Sequence, residues 1–214
     1  MTARAARPTL LVLAGVNGAG KSSVAGVRLR ASGLDYYNPD EATRLLRDQG
    51  MVDADANAAA WRFGKQRLEA AIANAESFAL ETTLGGNTMP ALIRRACETH
   101  DVTVWFVGLD TPERHIARVQ ARVAAGGHAI AETKIRERWD AARRNLIGLL
   151  PRLHELHVYD NSRECCQGAD EAEPAEVLHC LASRVLLPAA DRLRHTPDWA
   201  KPLVEAASRL SPAQ

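Results

Sequence analysis

The sequence predicts an α/β fold: a doubly wound, mostly parallel sheet with a helical lid and a helical C-terminal tail. Three observations predict it. Apolar runs of strand length alternate with amphipathic stretches at helical spacing along most of the chain. The first run, Leu10–Ala14, leads directly into Gly15-Val16-Asn17-Gly18-Ala19-Gly20-Lys21-Ser22, which fits G-x-x-x-x-G-K-[ST] at every fixed position. The run "DVTVWFVGLD" is apolar almost throughout, as a strand covered by helices on both faces would be. The length of 214 residues suits one domain, read as residues 1–186, followed by a tail over residues 187–214.

Taken in order, the first strand is followed by a helix over about Lys21–Ala31. A short second strand lies around Tyr36 and Tyr37. Asn38-Pro39-Asp40 is a strand-to-helix junction, because Pro39 bars helix at Asn38. In "DADANAAAWRFGKQRLEAAIANA", Trp61, Leu68, Ala71 and Ile72 recur at helical spacing and predict a stripe packed on the sheet. "SFALETT" reads as a buried strand and "GGNTMPALIRRACETH" as the helix after it. Thr111 can cap a helix that Pro112 opens and Gly126-Gly127 ends. A further helix over about Ala131–Leu149 stops before Pro151. "ELHVYDNS" reads as the last strand, a final helix covers about Glu173–Val185, and a proline-punctuated helical tail follows.

Composition narrows the function. A net charge of +1 gives no electrostatic case for nucleic acid or an anionic membrane, and 5% aromatic residues argue against a base-stacking platform. No apolar run approaches the roughly 20 residues that span a bilayer. Arg4 and Arg7 before "LLVLAGV" imitate a short leader, but that apolar stretch is the strand feeding the glycine loop. Cys97, Cys165, Cys166 and Cys180 show no zinc spacing, which suits free thiols in the cytoplasm.

The glycine loop carries the chemistry. A strand, a loop of backbone N–H groups and a helix beginning at the lysine form a cradle for the phosphates of ATP, as in the three-layer P-loop NTPase fold. Gly15 and Gly20 permit the backbone path, Lys21 sets its ammonium on the outer phosphates, and Ser22 offers a hydroxyl to Mg²⁺. Val16, Asn17, Gly18, Ala19 and Ser23 complete the cradle.

In a sheet of this kind ligands gather at the carboxyl ends of the strands. The polar residues there are few. Asp40 is placed to take a proton from an acceptor hydroxyl, or else merely caps a helix. Asn38, Glu81, Thr82 and Thr83 read as the acceptor site, with Gly85-Gly86 letting a substrate approach, or else Glu81–Thr83 is a strand end that caps the next helix. Asp110 either holds Mg²⁺ through water or caps the helix at Thr111. Two helices bearing Arg114, Arg118, Arg122, Arg136, Arg138, Arg143 and Arg144 flank a Gly-Gly hinge, as a lid over phosphates would require, although most of these arginines must be solvated surface. His128 fixes the hinge loop. His154 and His157 fall on opposite sides of a strand and suit no shared metal.

"GVNGAGKSS", "YYNPDEA", "FALETTLGG", "RVQARVAAGGHAI…KIRERW…NL" and "VYDNS" together resemble the zeta-toxin group of P-loop kinases, over about Leu10–Ser162. The resemblance implies transfer of the ATP γ-phosphate, with Mg²⁺, to a hydroxyl of a nucleotide sugar, UDP-N-acetylglucosamine first. It makes Asp40 the catalytic aspartate and Glu81 with Thr83 the acceptor-binding strand end. Lys21, Arg122 and Arg138 bind the phosphates, with Arg118 and Arg136 as alternatives, and Asn161 and Ser162 lie at the adenine side. A toxin of this type has a protein antitoxin as partner. A kinase for a nucleoside, amino sugar or antibiotic, and a P-loop ATPase without an acceptor, are the alternatives.

Overall fold

The computed structural model describes residues 6–22, 33, 36–127, 129–163 and 173–210. Seven strands form one sheet: β1 (Thr9–Ala14), β2 (Tyr36–Tyr37), β3 (Phe78–Thr82), β4 (Asp101–Gly108), β5 (Glu155–Asp160), β6 (Ala175–Leu181) and β7 (Arg184–Leu187). Their order is β2-β3-β1-β4-β5-β6-β7. The first five are parallel, and β5-β6 and β6-β7 are antiparallel. The fold is therefore α/β and mostly parallel, with β1 in the interior and the carboxyl ends of β1 to β5 along one edge.

Alternation along β1 divides the core. Leu10, Val12 and Ala14 join the larger cluster with Phe78, Leu80, Val104, Phe106 and Val158, while Leu11 and Leu13 meet Ala79 and Val107 on the other face. The larger cluster receives the helices α1 (Pro39–Asp48), α2 (Asp53–Asn74), α3 (Thr88–Ala96), α4 (Pro112–Ala124), α5 (Glu132–Leu149) and α6 (Lys201–Leu210) through residues such as Ala42, Leu68, Ile93, Ile116, Leu146 and Leu203. Helix starts follow their local chemistry. The Asn38 side chain accepts the N–H groups of Asp40 and Glu41, Pro39 opens α1, and Thr111 caps α4 by accepting from Arg114 N.

Three expectations are corrected. The helix predicted over Glu173–Val185 is instead the hairpin β6-β7, so β5 is not the last strand. Leu178 and Cys180 alternate with more exposed neighbours at a period of two, and the antiparallel pairing buries them against Val158 and Leu156. Trp61 does not pack on the sheet; it is 44% exposed, whereas Leu68 and Ala71 carry the stripe. In β4, Asp101, Thr103 and Trp105 are half-buried, and continuous burial starts only at Phe106. The tail opens with 3-10 turns at Ala190–His195 and Asp198–Ala200 before α6. There Trp199 packs over Phe106, and a Cβ on Gly108 would strike its ring. The first predicted helix from Ser23 on, and the loop with Cys165 and Cys166, lie outside the described residues. No helix of the described residues is long and apolar enough to cross a membrane.

Ala182 and Ser183 turn the hairpin with φ of 47° and 64°, a left-handed pair that side chains resist by about 1 kcal/mol per residue. Replacing them together, Ala182→Asn with Ser183→Gly, should stabilise the protein by about 1 kcal/mol. The measurement is the urea midpoint, which should rise at constant m-value.

Candidate nucleotide and acceptor site

The loop after β1 is shaped by its glycines. Gly15 adopts φ 143° with its α-carbon so close to the Val107 carbonyl that a Cβ would collide with it, and at Gly20, φ 84°, a Cβ would stand 2.5 Å from Asn161 Nδ2. The backbone turns on Ala19 N–H donating to Val16 O (3.0 Å), and it is anchored from three sides. Asn161 donates to Ala19 O (2.9 Å), Arg138 donates to the Asn17 side-chain oxygen (2.7 Å), and His115 Nδ1–H donates to Asn17 O (2.9 Å). The chain becomes helical at Lys21, so N–H groups at a helix start face the loop. Ser23 lies outside the described residues.

Beside the loop stands Glu81 of β3, 7% exposed and in register with Leu13 of β1. Lys21 Nζ lies 3.3 Å from one carboxylate oxygen. The other accepts from Ser22 Oγ (3.3 Å), Tyr36 OH (2.9 Å) and Asn38 Nδ2 (3.2 Å). Glu81, expected at the acceptor site, lines the cleft in front of the loop while its carboxylate is held by Lys21 and Ser22 of the loop. Asn38, also read as an acceptor residue, spends its oxygen on the α1 cap and its amide on Glu81. Ser22 and Glu81 together offer the hard oxygen donors that suit Mg²⁺. Asp110 is engaged elsewhere: its carboxylate pairs with Arg114 at 2.8 Å, and its N–H donates to Ser162 Oγ.

In front of the loop a cleft of about 650 Å³ is lined by Asn17, Asp40, Asn57, Trp61, Thr83 and Arg138, among others. Asp40, on the first turn of α1, presents an exposed carboxylate 3.5 Å from Arg122 Nη1 of α4. Arg138 of α5 enters between Asn17 and Gly85. Burial lowers its pKa, with Asp40 and Glu137 acting in the opposite sense. Thr82 and Thr83 line the cleft while their hydroxyls accept from Leu84 N and Gly85 N. The arginine helices thus divide. Arg122 and Arg138 reach the cleft and Arg118 holds the Asn161 carbonyl beside Gly20, whereas Arg136 pairs with Glu113 and Arg143 stacks on Trp139. The hinge residue His128 lies outside the described residues.

The sequence reading missed Trp61 and His115 as site residues. Trp61 has the spacing of a core residue, and only the position of α2 beside α1 exposes it to the cleft. Nothing in the sequence marks His115, which is fully buried under the loop. Burial pushes its pKa down to about 4; the Asn17 carbonyl opposes this and Lys21 adds to it. Its Nε2 has no partner, so the ring is held neutral.

This depressed pKa has a sign. Between about 4 and the ordinary 6.5 the unfolded chain binds a proton that the folded chain refuses, so stability is full above 6.5 and falls as the pH drops through that window. The expected contribution is roughly 3 kcal/mol. Thermal melts at pH 7.5 and 4.5 should show a smaller loss in His115→Gln than in the parent.

The family described as AAA domain matches residues 10–148. An uncharacterised protein of Haemophilus influenzae is 30% identical over 126 residues, which are 58% of this chain and 88% of that protein. Among solved structures, AvrRxo1-ORF1 in complex with AvrRxo1-ORF2 and ATP superposes with a TM-score of 0.63 at 17% identity, covering 91% of this chain and 65% of that one. The PezAT chromosomal toxin-antitoxin system of Streptococcus pneumoniae gives 0.52 at 13% identity, covering 80% and 77%. The chain spans just under two thirds of the length of the AvrRxo1 chain, and at these identities the likeness is one of fold. Matched from β1 through α5, with the glycine loop, Glu81 and both cleft arginines inside the match, the chain belongs to the AAA domain family.

Proposed function

We propose that this protein is an ATP- and Mg²⁺-dependent small-molecule kinase that transfers the γ-phosphate to a hydroxyl group. The carrying observation is that the exposed carboxylate of Asp40 lines the same cleft as Asn17 of the phosphate loop, with Arg122 against Asp40 and Arg138 against Asn17. A base serves attacking water as well as an acceptor hydroxyl, so it is the cleft of about 650 Å³ beside Asp40, with room for a small molecule, that favours a kinase over an ATPase. The ATP in the AvrRxo1 complex supports the nucleotide assignment by analogy of fold.

In this reading Gly15–Ser23 holds the nucleotide, with Asn161 behind the loop. Lys21 exchanges Glu81 for the outer phosphates. Asp40 takes the acceptor's hydroxyl proton as its oxygen attacks phosphorus and the bond to ADP breaks. Arg122 and Arg138 offset the charge on the transferring group. Ser22 and Glu81 would hold Mg²⁺, which supplies charge neutralisation on the phosphates. The resemblance to zeta toxins favours a UDP-sugar, with UDP-N-acetylglucosamine first, and Thr82, Thr83, Asn57 and Trp61 are the polar and aromatic wall it would meet. Asn38 and Asp110 then act as positioning residues rather than as substrate or metal ligands. A protein antitoxin as partner and a cytoplasmic location belong to the same reading; PezAT and AvrRxo1, as paired proteins, support the partner.

The test is mass spectrometry of a metabolite panel incubated with protein and ATP. One phosphate should be gained by UDP-N-acetylglucosamine, and Lys21→Ala should abolish the gain. Asp40→Asn should keep ATP affinity within a few-fold while transfer falls about 10²-fold or more. Phosphate gained by nucleosides or aminoglycosides instead would move the acceptor class. ATP hydrolysis without any phosphorylated product would overturn the kinase reading.

A further inference from the structure

On the sheet face opposite the larger core, away from the nucleotide edge, two histidines and two glutamates are gathered on neighbouring strands. His157 of β5 stands directly opposite His179 of β6, and their rings stack with centroids 4.1 Å apart. Glu155, two residues earlier on β5, shares their face. One of its oxygens lies 3.2 Å from His157 Nε2 and 3.0 Å from His179 Nε2. On the other side of His157, Nδ1 is 2.5 Å from Glu176 of β6. Their neighbours Leu156 and Cys180 point the other way, into the core. Glu155, His157 and His179 are half-buried, and Glu176 is exposed.

We propose that Glu155, His157 and His179 form a zinc-binding site, with Glu176 as the carboxylate that orients His157. Three observations carry the assignment. First, one ligand atom from each of the three residues can be chosen so that all lie within 4.8 Å of one another. Second, the spacing is already that of a coordination shell: with zinc bonded at about 2.0–2.2 Å to nitrogen and oxygen, the edge of a tetrahedron is about 3.3 Å, against the 3.0 and 3.2 Å seen between Glu155 and the two imidazoles. Third, a His whose Nδ1–H is donated to a carboxylate has its Nε2 lone pair fixed toward a ligand, which is the outer-shell arrangement metal-binding histidines use.

Two imidazoles and one carboxylate suit zinc better than the hard cations that oxygen sites take, and they leave the fourth position to water. The site ties β5, which ends beside the phosphate loop at Asp160–Asn161, to the hairpin that follows. His157 is three residues before Asp160, about 10 Å along the strand, so zinc here acts on the scaffold rather than on the transferring phosphate. The assignment is independent of the kinase reading.

The probe is ZnCl₂ alone, offered to the full chain carrying Cys165→Ser and Cys166→Ser so that adjacent thiols do not compete, in millimolar Mg²⁺. After desalting, elemental analysis should count one zinc per chain. His157→Gln and His179→Gln should each retain less than a tenth as much, Glu176→Gln should bind 10- to 100-fold more weakly, and His154→Gln should bind as the parent does. The melting temperature of the parent should rise with zinc concentration, while that of His179→Gln should not. Cobalt titration of the parent gives a reading that no variant has to survive: tetrahedral visible bands without a thiolate charge-transfer band are expected. A parent that retains no zinc, histidine variants that retain it equally, or a thiolate band with cobalt would each overturn the site.

Discussion

The ion pair between Lys21 and Glu81 is the constraint on which the site depends. Both partners are less than a tenth exposed, and the pair lies where the sheet has no slack, since Glu81 and Leu13 are in register on adjacent parallel strands. A buried pair of this kind contributes little net stability, because desolvating two charges consumes most of what their attraction returns, whereas removing one partner alone costs about 3–5 kcal/mol. Its effect is therefore on geometry. Glu81 also receives Tyr36 from β2, Asn38 from the α1 cap and Ser22 from the loop, so three pieces of chain are located by one carboxylate.

The coupling reaches the cleft through Asn38. Its oxygen caps α1 and its amide holds Glu81, so the helix that carries Asp40 cannot tilt without disturbing the group that holds Lys21. From the other side, α5 comes close enough for Arg138 to touch Asn17 only because residue 85 is glycine. A Cβ there would lie 2.7 Å from Arg138 Cβ and 3.1 Å from its Cα. Two supports thus bring one carboxylate and one guanidinium to the same cleft.

Much of this was legible because its causes are local. The glycine loop, the Asn38-Pro39 and Thr111-Pro112 helix starts and the apolar strands each announce themselves within a few residues. What was not legible depends on distant partners. The β6-β7 hairpin turns on Ala182-Ser183, without the Asn or Gly that usually signals a left-handed turn, so its alternating strand was read as helix. Glu81 was correctly placed at a strand end, but its direction is set by Lys21 and Tyr36, 60 and 45 positions away. Asp110 is different. Arg114 stands four residues after it, a spacing that favours an ion pair, and that signal was present in the sequence. His115 offers none, since its partner is a carbonyl 98 residues distant.

The two acidic residues nearest the loop divide the chemistry by their surroundings. Glu81 is buried, with one oxygen on the Lys21 ammonium and the other accepting from two hydroxyls and an amide. Asp40 is open to solvent and touched by Arg122 at 3.5 Å, a long contact that an incoming hydroxyl can share. Carboxylates held in such different environments are fitted to different roles. One is a buried charge held by Lys21 and Ser22; the other is the group to which the proposed reading assigns the acceptor's proton. In the kinase reading proposed above, the second, facing a cleft that Trp61 and Asn57 also line, is the group that would meet an acceptor hydroxyl.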